Sequence, residues 1–353
     1  MNDYETLGIT GYDHIEFAVN NVDKASELYL RMGFERVGTR EMRERKLKSV
    51  LMGQGEILVL LSQSELPADP ISKFQADHGD GIINIAFRCN DAHQCLETVI
   101  RRGATLAEPP KSFQKEFGQV EQTSIRAFGD VRHSFVTRKG QLFGEGFEIP
   151  FRSLNQGCGL AAIDHITTNV ERGTLDDCAG FYEKVLGFKN TRFFDIHTER
   201  TGLYSKVMQS PDGVVKMPIN IPTEDSSQIQ EFLDINHGPG VQHLALKTQN
   251  IVQSLRTLRK EGLKFLEVPA TYYEEVPKRV PNVAEDMNEL QSLGILVDGS
   301  AKGYLLQIFT ENLIGPFFYE VIQRKGDDGF GEGNFKALFE AIERDQIKRG
   351  VLK

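Results

Sequence analysis

The sequence predicts an α+β protein built from two similar halves, each folded as an open barrel. The first observation behind this prediction is a strand–helix pattern in residues 11–34, GYDHIEFAVNNVDKASELYLRMGF, that returns in residues 161–188, AAIDHITTNVERGTLDDCAGFYEKVLGF. The second is a Gly-x-Gly followed by an alternating strand, at residues 79–90 and again at residues 238–250. The third is the alternation of single helices with several short strands inside each half. Together these observations indicate an internal duplication.

The duplication predicts two domains in the chain of 353 residues, residues 1–152 and residues 158–353. A short linker near residues 153–159 contains Gly157 and Gly159. Each half is predicted to contain two βαβββ units, and four such units account for the whole length. The division agrees with the size of common domains, which is roughly 150 residues.

The second half illustrates the predicted elements in chain order. Its first unit is a strand, a helix and three strands, at residues 163–169, 175–186, 188–196, 202–210 and 214–222. After a short helix at 227–236, the second unit is a strand, a helix and four strands, at residues 241–248, 251–261, 263–268, 294–298, 303–310 and 317–323. Pro211-Asp212-Gly213 and Asp298-Gly299 have the composition of turns between neighbouring strands.

The C-terminus is predicted to end in a helix that lies over the second half as a lid. A glycine-rich loop at residues 326–333 precedes it. Residues 334–349 are expected to be helical, with Asn334 as the N-cap. Phe335, Leu338, Phe339 and Ile342 fall on one apolar face at helical spacing.

Composition and charge exclude several classes of protein. The chain has 41 Lys and Arg against 50 Asp and Glu, a net charge of −9. An acidic chain is not attracted to nucleic acid or anionic lipid, so we expect neither partner. No apolar run approaches the ~18 residues of a membrane span. The N-terminal residues do not resemble a secretory signal, and the four cysteines lack metal-type spacing, so reduced thiols in a cytoplasmic protein are expected.

Three residues of the second half form a candidate metal site. His165, His243 and Glu320 each lie in the middle of a predicted strand, with apolar or small residues two positions away. A buried carboxylate is costly unless it is paired or binds a metal. Two imidazoles and a carboxylate are the ligands of the facial triad of non-haem Fe(II) oxygenases. Each residue could instead be an ordinary strand residue. The repeat favours the metal site, because it puts both histidines on matching strands.

The sequence resembles the 4-hydroxyphenylpyruvate dioxygenases, which have the vicinal-oxygen-chelate fold. The resemblance covers essentially the whole chain and is strongest over residues 160–350. The segments that carry it are AAIDHITTNV, VMQSPDGVVKMPINIP, SSQIQEFL, GPGVQHLALKT, YLLQIFTENLIGPFFYEVIQRKG and GFGEGNFKALFEAIE. It implies two tandem vicinal-oxygen-chelate domains and one Fe(II) per subunit, held by His165, His243 and Glu320.

The resemblance also implies a set of residues around the metal. The residues implied as catalytic are Gln307, Asn334 and Phe335. The residues implied to bind substrate are Ser205, Asn220, Gln228, Phe309, Phe318 and Phe330. Ser205 and Asn220 could instead satisfy strand hydrogen bonds, and Phe335 could be helix core. Gln242 matches the family motif too, but strict strand alternation points it away from His243, so it is left out.

The first half departs from the triad. His14 matches His165, but Asn84 stands where the second histidine is expected, and Glu148 lies near a loosely aligned third position. Asparagine is a poor substitute for imidazole at a divalent transition metal. The first half is therefore predicted to be structural and to hold no metal.

The resemblance implies conversion of 4-hydroxyphenylpyruvate and O2 to homogentisate and CO2 in tyrosine catabolism, by a homodimer or homotetramer. The nearest alternative is 4-hydroxymandelate synthase, which uses the same triad and substrate. The synthases carry an aliphatic residue where the dioxygenases carry Phe, so Phe335 favours the dioxygenase. More distant possibilities on the same fold are a glyoxalase-type isomerase, an extradiol ring-cleaving dioxygenase and a ligand-sequestering protein.

Overall fold

The computed structural model describes residues 6–151, 155–197, 202–335 and 337. It contains two eight-stranded sheets, one in each half. The strands of the first sheet are β1 (Ile9–Ala18), β2 (Glu35–Met42), β3 (Leu47–Gln54), β4 (Ile57–Ser64), β5 (Gly81–Cys89), β6 (Leu106–Lys115), β7 (Gly118–Arg126) and β8 (Arg132–Gly140). The strands of the second sheet are β9 (Leu160–Asn169), β10 (Lys189–His197), β11 (Gly202–Gln209), β12 (Lys216–Pro222), β13 (Gly240–Thr248), β14 (Leu296–Ser300), β15 (Gly303–Phe309) and β16 (Phe318–Lys325).

The two sheets have the same topology. Their strand orders are β2-β3-β4-β1-β5-β8-β7-β6 and β10-β11-β12-β9-β13-β16-β15-β14. In every unit the first strand pairs in parallel with the last. The first strands of the two units in each half pair antiparallel at the centre of the sheet. The predicted βαβββ units are therefore confirmed, and the two histidines of the second half lie on adjacent central strands.

Helices follow the strands in the order that the repeat predicts. Their bounds are α1 (Val22–Arg31), α2 (Pro70–His78), α3 (Ala92–Arg101), α4 (Leu175–Phe181), α5 (Gln228–Asn236), α6 (Ile251–Lys260), α7 (Ala270–Tyr273), α8 (Val276–Arg279) and α9 (Met287–Leu293). Asn21, Asp91 and Asn250 cap α1, α3 and α6 by accepting a backbone N–H three residues ahead. The predicted helix at 175–186 is α4 followed by a π-helical turn, Tyr182–Leu186. Within the described residues, no helix is long and apolar enough to cross a membrane.

Three predicted elements differ from the structure. Residues 263–268 do not form a strand, because only Phe265 bridges to Thr310 before the chain enters α7. The hairpin between β14 and β15 turns at residues 301–302, since Ser300 pairs with Gly303 and Asp298-Gly299 belongs to β14. The C-terminal helix starts at residue 332, so Asn334 lies in its first turn rather than at its N-cap. The rest of the predicted lid helix, residues 338–349, lies outside the described residues.

The two halves share one hydrophobic core. The hydroxyl of Tyr29 on α1 lies 2.5 Å from the hydroxyl of Tyr319 on β16. The rings of Phe17 on β1 and Phe317 are edge to face at 5.1 Å between centroids. Glu320 follows Tyr319 directly, so the first half packs against the outer side of the strand that carries the predicted carboxylate ligand.

His133 on β8 is a second contact between the halves. It is fully buried, and its Nε2 lies 2.8 Å from the hydroxyl of Tyr182. Burial lowers the pKa of His133 to about 3. In the unfolded chain a histidine has a pKa of about 6.5. Between these two values the unfolded chain binds a proton that the folded chain does not, so this histidine makes stability fall as the pH falls.

Replacing His133 by glutamine is expected to reduce the acid sensitivity of folding. Because its pKa is lowered in the folded protein, His133 makes the free energy of unfolding fall by about 2 kcal/mol when the pH is lowered from 7 to 5. Glutamine does not titrate in this range. Urea midpoints at both pH values, read by circular dichroism, should therefore move less in His133→Gln than in the original protein. Equal movement in the two proteins would contradict this account.

Candidate metal centre and active site

His165, His243 and Glu320 meet inside the second half-barrel. Glu320 Oε2 lies 3.3 Å from Nε2 of His165 and 3.5 Å from Nε2 of His243. One ligand atom from each residue lies within 4.8 Å of the others. Ala245 on β13 pairs with both His165 on β9 and Glu320 on β16, so a small side chain separates them. Among the described residues, these are the three His, Cys, Asp or Glu side chains that lie close enough together to hold a metal ion.

The electrostatics of the site fit a divalent metal. Burial raises the pKa of the Glu320 carboxyl, but the neighbouring His165 and His243 outweigh it and hold that pKa at about 2. Burial lowers the pKa of His243, which favours the neutral, ligating form of the ring. Glu320 Oε1 is buried and accepts no hydrogen bond. A buried charge with an unused oxygen is costly, and a metal ion would satisfy it.

Both histidines are oriented by the residue that precedes them. His165 Nδ1 donates to Asp164 Oδ1 at 2.9 Å, and His243 Nδ1 donates to Gln242 Oε1 at 3.1 Å. These bonds leave Nε2 of each ring facing Glu320. Hydrogen bonds of this kind fix the tautomer of metal-binding histidines.

A β-bulge explains why neighbouring residues reach the same ring. Val241 pairs with Thr168 and His243 with Thr167, so Gln242 is the extra residue on β13. Ala245 pairs with His165 and Leu246 with Ile163, so Asp164 is the extra residue on β9. A bulge interrupts the alternation of side chains. The expectation that Gln242 points away from His243 is therefore wrong.

Two of the predicted polar residues lie on the strands that continue the sheet beyond β9. Ser205 on β11 and Asn220 on β12 are buried and pair in register. Asn220 Nδ2 donates to Oδ1 of Asn169 on β9 at 3.3 Å. Asn169 was not among the residues predicted from the sequence. It lies four residues beyond His165 on the same strand face, which was the available signal.

Several buried polar atoms of this barrel have no partner. They are Asn169 Nδ2, Gln307 Oε1 and Asn334 Nδ2, besides Glu320 Oε1. Buried polar groups are normally hydrogen-bonded. A bound polar ligand would satisfy these open donors and acceptors on the strands and on the C-terminal segment.

Three phenylalanines surround the two histidines. The ring of Phe318 stacks on His243, with 4.9 Å between centroids and an interplanar angle of 22°. Phe309 is edge-on to Phe318 at 5.9 Å. Phe330 lies 5.1 Å from the ring of His165. These three predicted residues therefore form an apolar wall beside the site.

The remaining predicted residues lie on the C-terminal segment and at the start of α5. Asn334 is buried, and its Oδ1 accepts from the hydroxyl of Tyr272 at 2.5 Å. Phe335 is 36% exposed, and Gln228 is the exposed first residue of α5. The roles of Phe335 and Gln228 in a pocket stay predictions.

The first half has a different set of side chains at the matching positions. Ala86 pairs with His14 and Ser134 as Ala245 pairs with His165 and Glu320. The counterpart of Glu320 is therefore Ser134. The interpretation of Glu148 as a third-ligand position is wrong, because Glu148 is exposed and pairs with Lys115 at 2.6 Å.

Ion pairs occupy the interior of the first half-barrel. A cavity of about 60 Å³ is lined by Glu16, Arg40 and Arg132 among other polar residues. Glu16 lies 3.7 Å from a guanidinium nitrogen of Arg40 and 3.9 Å from one of Arg132. In the described part of this half, no three His, Cys, Asp or Glu side chains come together as possible metal ligands.

The chain is similar to known proteins over its whole length. Residues 4–144 match the family described as hydroxyphenylpyruvate dioxygenase, N-terminal, and residues 162–276 match the glyoxalase/bleomycin resistance protein/dioxygenase superfamily. The chain is 39% identical to 4-hydroxyphenylpyruvate dioxygenase of Pseudomonas aeruginosa, over 100% of this chain and 98% of that one. It is 40% identical to the enzyme of the same name from Legionella pneumophila strain Corby, over 100% and 99%.

A solved structure is similar over nearly the same length. It is a triple mutant of 4-hydroxymandelate synthase from Streptomyces coelicolor, with a TM-score of 0.83, 28% identity, and coverage of 96% of this chain and 99% of that one. The fold and the ligand set define a metal-dependent dioxygenase of the glyoxalase superfamily, and the predicted vicinal-oxygen-chelate architecture is confirmed. Within that superfamily, the chain belongs to the 4-hydroxyphenylpyruvate dioxygenase family.

Proposed function

We propose that the protein uses Fe(II) to convert 4-hydroxyphenylpyruvate and O2 to homogentisate and CO2 in tyrosine catabolism. The observation that carries this proposal is the cluster of His165, His243 and Glu320 in a chain that matches 4-hydroxyphenylpyruvate dioxygenases over its full length. Two imidazoles and one carboxylate are typical ligands of non-haem Fe(II).

His165, His243 and Glu320 would hold one iron per chain. When bound, Fe(II) in such a site coordinates a 2-oxo acid and activates O2. The bonds from Asp164 and Gln242 hold the two rings ready for this, so the ligands need little reorganisation. Glu320, whose carboxyl pKa is lowered to about 2 by His165 and His243, would supply negative charge to a bound cation.

The remaining pocket residues would bind and orient the substrate. Phe309, Phe318 and Phe330 exclude water and offer no exchangeable proton to a reactive oxidant. The open acceptor of Gln307 and the open donor of Asn334 would bind the polar groups of 4-hydroxyphenylpyruvate. Ser205 and Asn220 would line the wall formed by β11 and β12. Gln228 and Phe335 would join them at the entrance.

The first half, residues 1–152, would be a structural domain without iron, and residues 158–353 the catalytic domain. The contacts of Tyr29 and Phe17 support this division of roles, because they pack the first half against β16. A homodimer or homotetramer and a cytoplasmic location stay predictions from the sequence and the resemblance. Sedimentation of the purified protein would test the predicted oligomers.

The second candidate function is 4-hydroxymandelate synthase, which the similarity to the Streptomyces structure favours. The dioxygenase is better supported, because identity to 4-hydroxyphenylpyruvate dioxygenases is 39% against 28% to the synthase. Both reactions begin from the same substrate and lose CO2. They differ in whether the ring or the benzylic carbon is hydroxylated.

Product analysis is expected to give homogentisate rather than 4-hydroxymandelate. The protein is loaded with Fe(II) without oxygen, given 4-hydroxyphenylpyruvate and then air, and the products are separated by chromatography. Protein without added metal and treated with a chelator is the control, and it should form neither product. 4-Hydroxymandelate as the main product would keep the metal site and reject the dioxygenase.

A further inference from the structure

Both halves contain the same hydrogen-bonded series of arginine, aspartate and histidine, which we call the Arg–Asp–His clamp. In the second half Arg324 on β16 donates to both carboxylate oxygens of Asp164, at 2.6 and 2.8 Å, and Asp164 accepts from His165. In the first half Arg138 on β8 donates to both oxygens of Asp13, at 2.7 and 3.3 Å.

Asp13 in turn lies 2.7 Å from Nδ1 of His14, which completes the first-half clamp. The register is shifted at this aspartate too. Tyr12 pairs with Phe87 and His14 with Ala86, so Asp13 is the extra residue on β1, as Asp164 is on β9. The bulge and the clamp are therefore duplicated together.

Each clamp arginine also holds the loop that follows its strand. Arg324 Nη1 donates to the carbonyl oxygens of Asp327 and Gly329, at 3.1 and 2.7 Å. The next residue, Phe330, lies with its ring centroid 5.8 Å from the guanidinium carbon of Arg324 and 5.1 Å from the ring of His165. One guanidinium thus touches the aspartate that orients His165 and the loop that carries Phe330.

The first half repeats this second set of contacts. Arg138 Nη1 donates to the carbonyl oxygens of Leu142 and Phe143. The ring of Phe143 lies 4.9 Å from the guanidinium carbon of Arg138 and 5.0 Å from the ring of His14. The agreement covers four side chains and one loop in each half, although the ligand positions themselves have diverged.

The first-half clamp forms where the other two ligand positions are Asn84 and Ser134, which hydrogen-bond to each other at 2.9 Å. Its geometry therefore does not depend on a metal ion. The fold itself orients the histidine, and in the second half this orientation coincides with the triad. Asp164 and Arg324 are both buried, with side chains 5% and 9% exposed, so their bidentate pairing is sheltered from water.

We propose that Asp164 and Arg324 are positioning residues that act on the metal through His165 and on the substrate pocket through Phe330. This rests on the proposed metal site. Asp164 fixes the ring of His165 with Nε2 toward Glu320 and strengthens that nitrogen as a ligand. Arg324 fixes Asp164 and, through the same planar group, the position of residues 327–330. Metal affinity and substrate affinity therefore depend on one guanidinium.

The test compares Asp164→Asn with Asp13→Asn, the matched change in the first half. Co(II) affinity is measured without oxygen by competition with a chelator, a reading that needs no turnover. Removing an outer partner of a metal-binding histidine weakens metal binding by about 10- to 100-fold, and we expect this loss in Asp164→Asn. Asp13→Asn should bind Co(II) as the original protein does. Equal affinity in the two variants would overturn the proposal.

Arg324→Lys and Arg138→Lys form a second pair, which serves if Asp164→Asn does not fold. Lysine keeps the charge but cannot bridge both carboxylate oxygens and the loop carbonyls. Arg324→Lys should weaken Co(II) binding and raise KM more than it lowers kcat, while Arg138→Lys changes neither. Unchanged affinity and KM in a folded Arg324→Lys would contradict the role. Original protein that bound no Co(II) would instead reject the metal site on which the proposal rests.

Discussion

Replacing His165 or Glu320 by alanine is expected to abolish metal retention and turnover. Each change removes one of the three proposed ligands, whose ligand atoms converge within 4.8 Å. The loss of Fe(II) affinity should exceed the roughly 100-fold that changes to outer partners produce. The variants are loaded with Fe(II) without oxygen, desalted and assayed for bound metal and for oxygen uptake. Neither should hold metal in proportion to protein.

The control for this experiment is His14→Ala. His14 occupies the position of His165 in the first half and is bonded to the equivalent aspartate, Asp13. The position of Glu320 is occupied there by Ser134, so His14 faces no carboxylate ligand. Loss of this side chain should affect stability without changing metal content. Full activity in His165→Ala or Glu320→Ala, or loss of the metal in His14→Ala, would contradict the assignment of the centre to the second half.

Replacing Gly331 by alanine is expected to lower kcat/KM by about 100-fold, the effect of misplacing a positioned group by about 1 Å. A Cβ added at Gly331 would lie 2.5 Å from the side-chain amide carbon of Gln307. Gln307 is buried, so its amide must leave its present position, and the open acceptor at Oε1 moves with it. Steady-state kinetics with 4-hydroxyphenylpyruvate measure the loss.

Gly79→Ala separates this effect from backbone strain. Gly79 has φ of 76° and Gly331 has φ of 78°, so alanine meets a positive φ at both positions. A Cβ at Gly79 would have no atom within 4 Å. Both variants should lose stability from the backbone strain, and only Gly331→Ala should lose activity. Similar kinetics in both would mean that Gln307 does not act in the pocket.

The topology could be predicted because its signals are local and occur twice. The repeated strand–helix pattern at residues 11–34 and 161–188 and the repeated Gly-x-Gly before an alternating strand mark the βαβββ units in the sequence itself. The predicted strand at 263–268 failed for a non-local reason. After Phe265 the chain leaves the sheet for the short helices α7 to α9. Residues 263–268 have a strand-like sequence but form only one bridge to another strand.

The convergence of His165, His243 and Glu320 could also be predicted, but the residues that orient the two histidines could not. Asp164 and Gln242 reach the histidines only because a register shift places neighbouring residues on the same ring, and a shift depends on pairing with another strand. Strand register also explains why Glu148 was wrongly expected near a third ligand position. Proximity in the sequence suggested it as a third ligand, whereas strand register assigns that position to Ser134. The sequence puts Asn169 on the strand face of His165, but only the structure shows that it is a buried amide without a partner for Nδ2.

Iron held by His165, His243 and Glu320 is expected to support addition of both atoms of O2 to 4-hydroxyphenylpyruvate. The direct test is one turnover of the Fe(II)-loaded protein under ¹⁸O2, with the product examined by mass spectrometry. CO2 leaves with both carboxylate oxygens of the substrate, so homogentisate should carry two labelled atoms, one in its carboxyl group and one on the ring. Homogentisate without this label, or no oxygen uptake by folded, iron-loaded protein, would contradict the account.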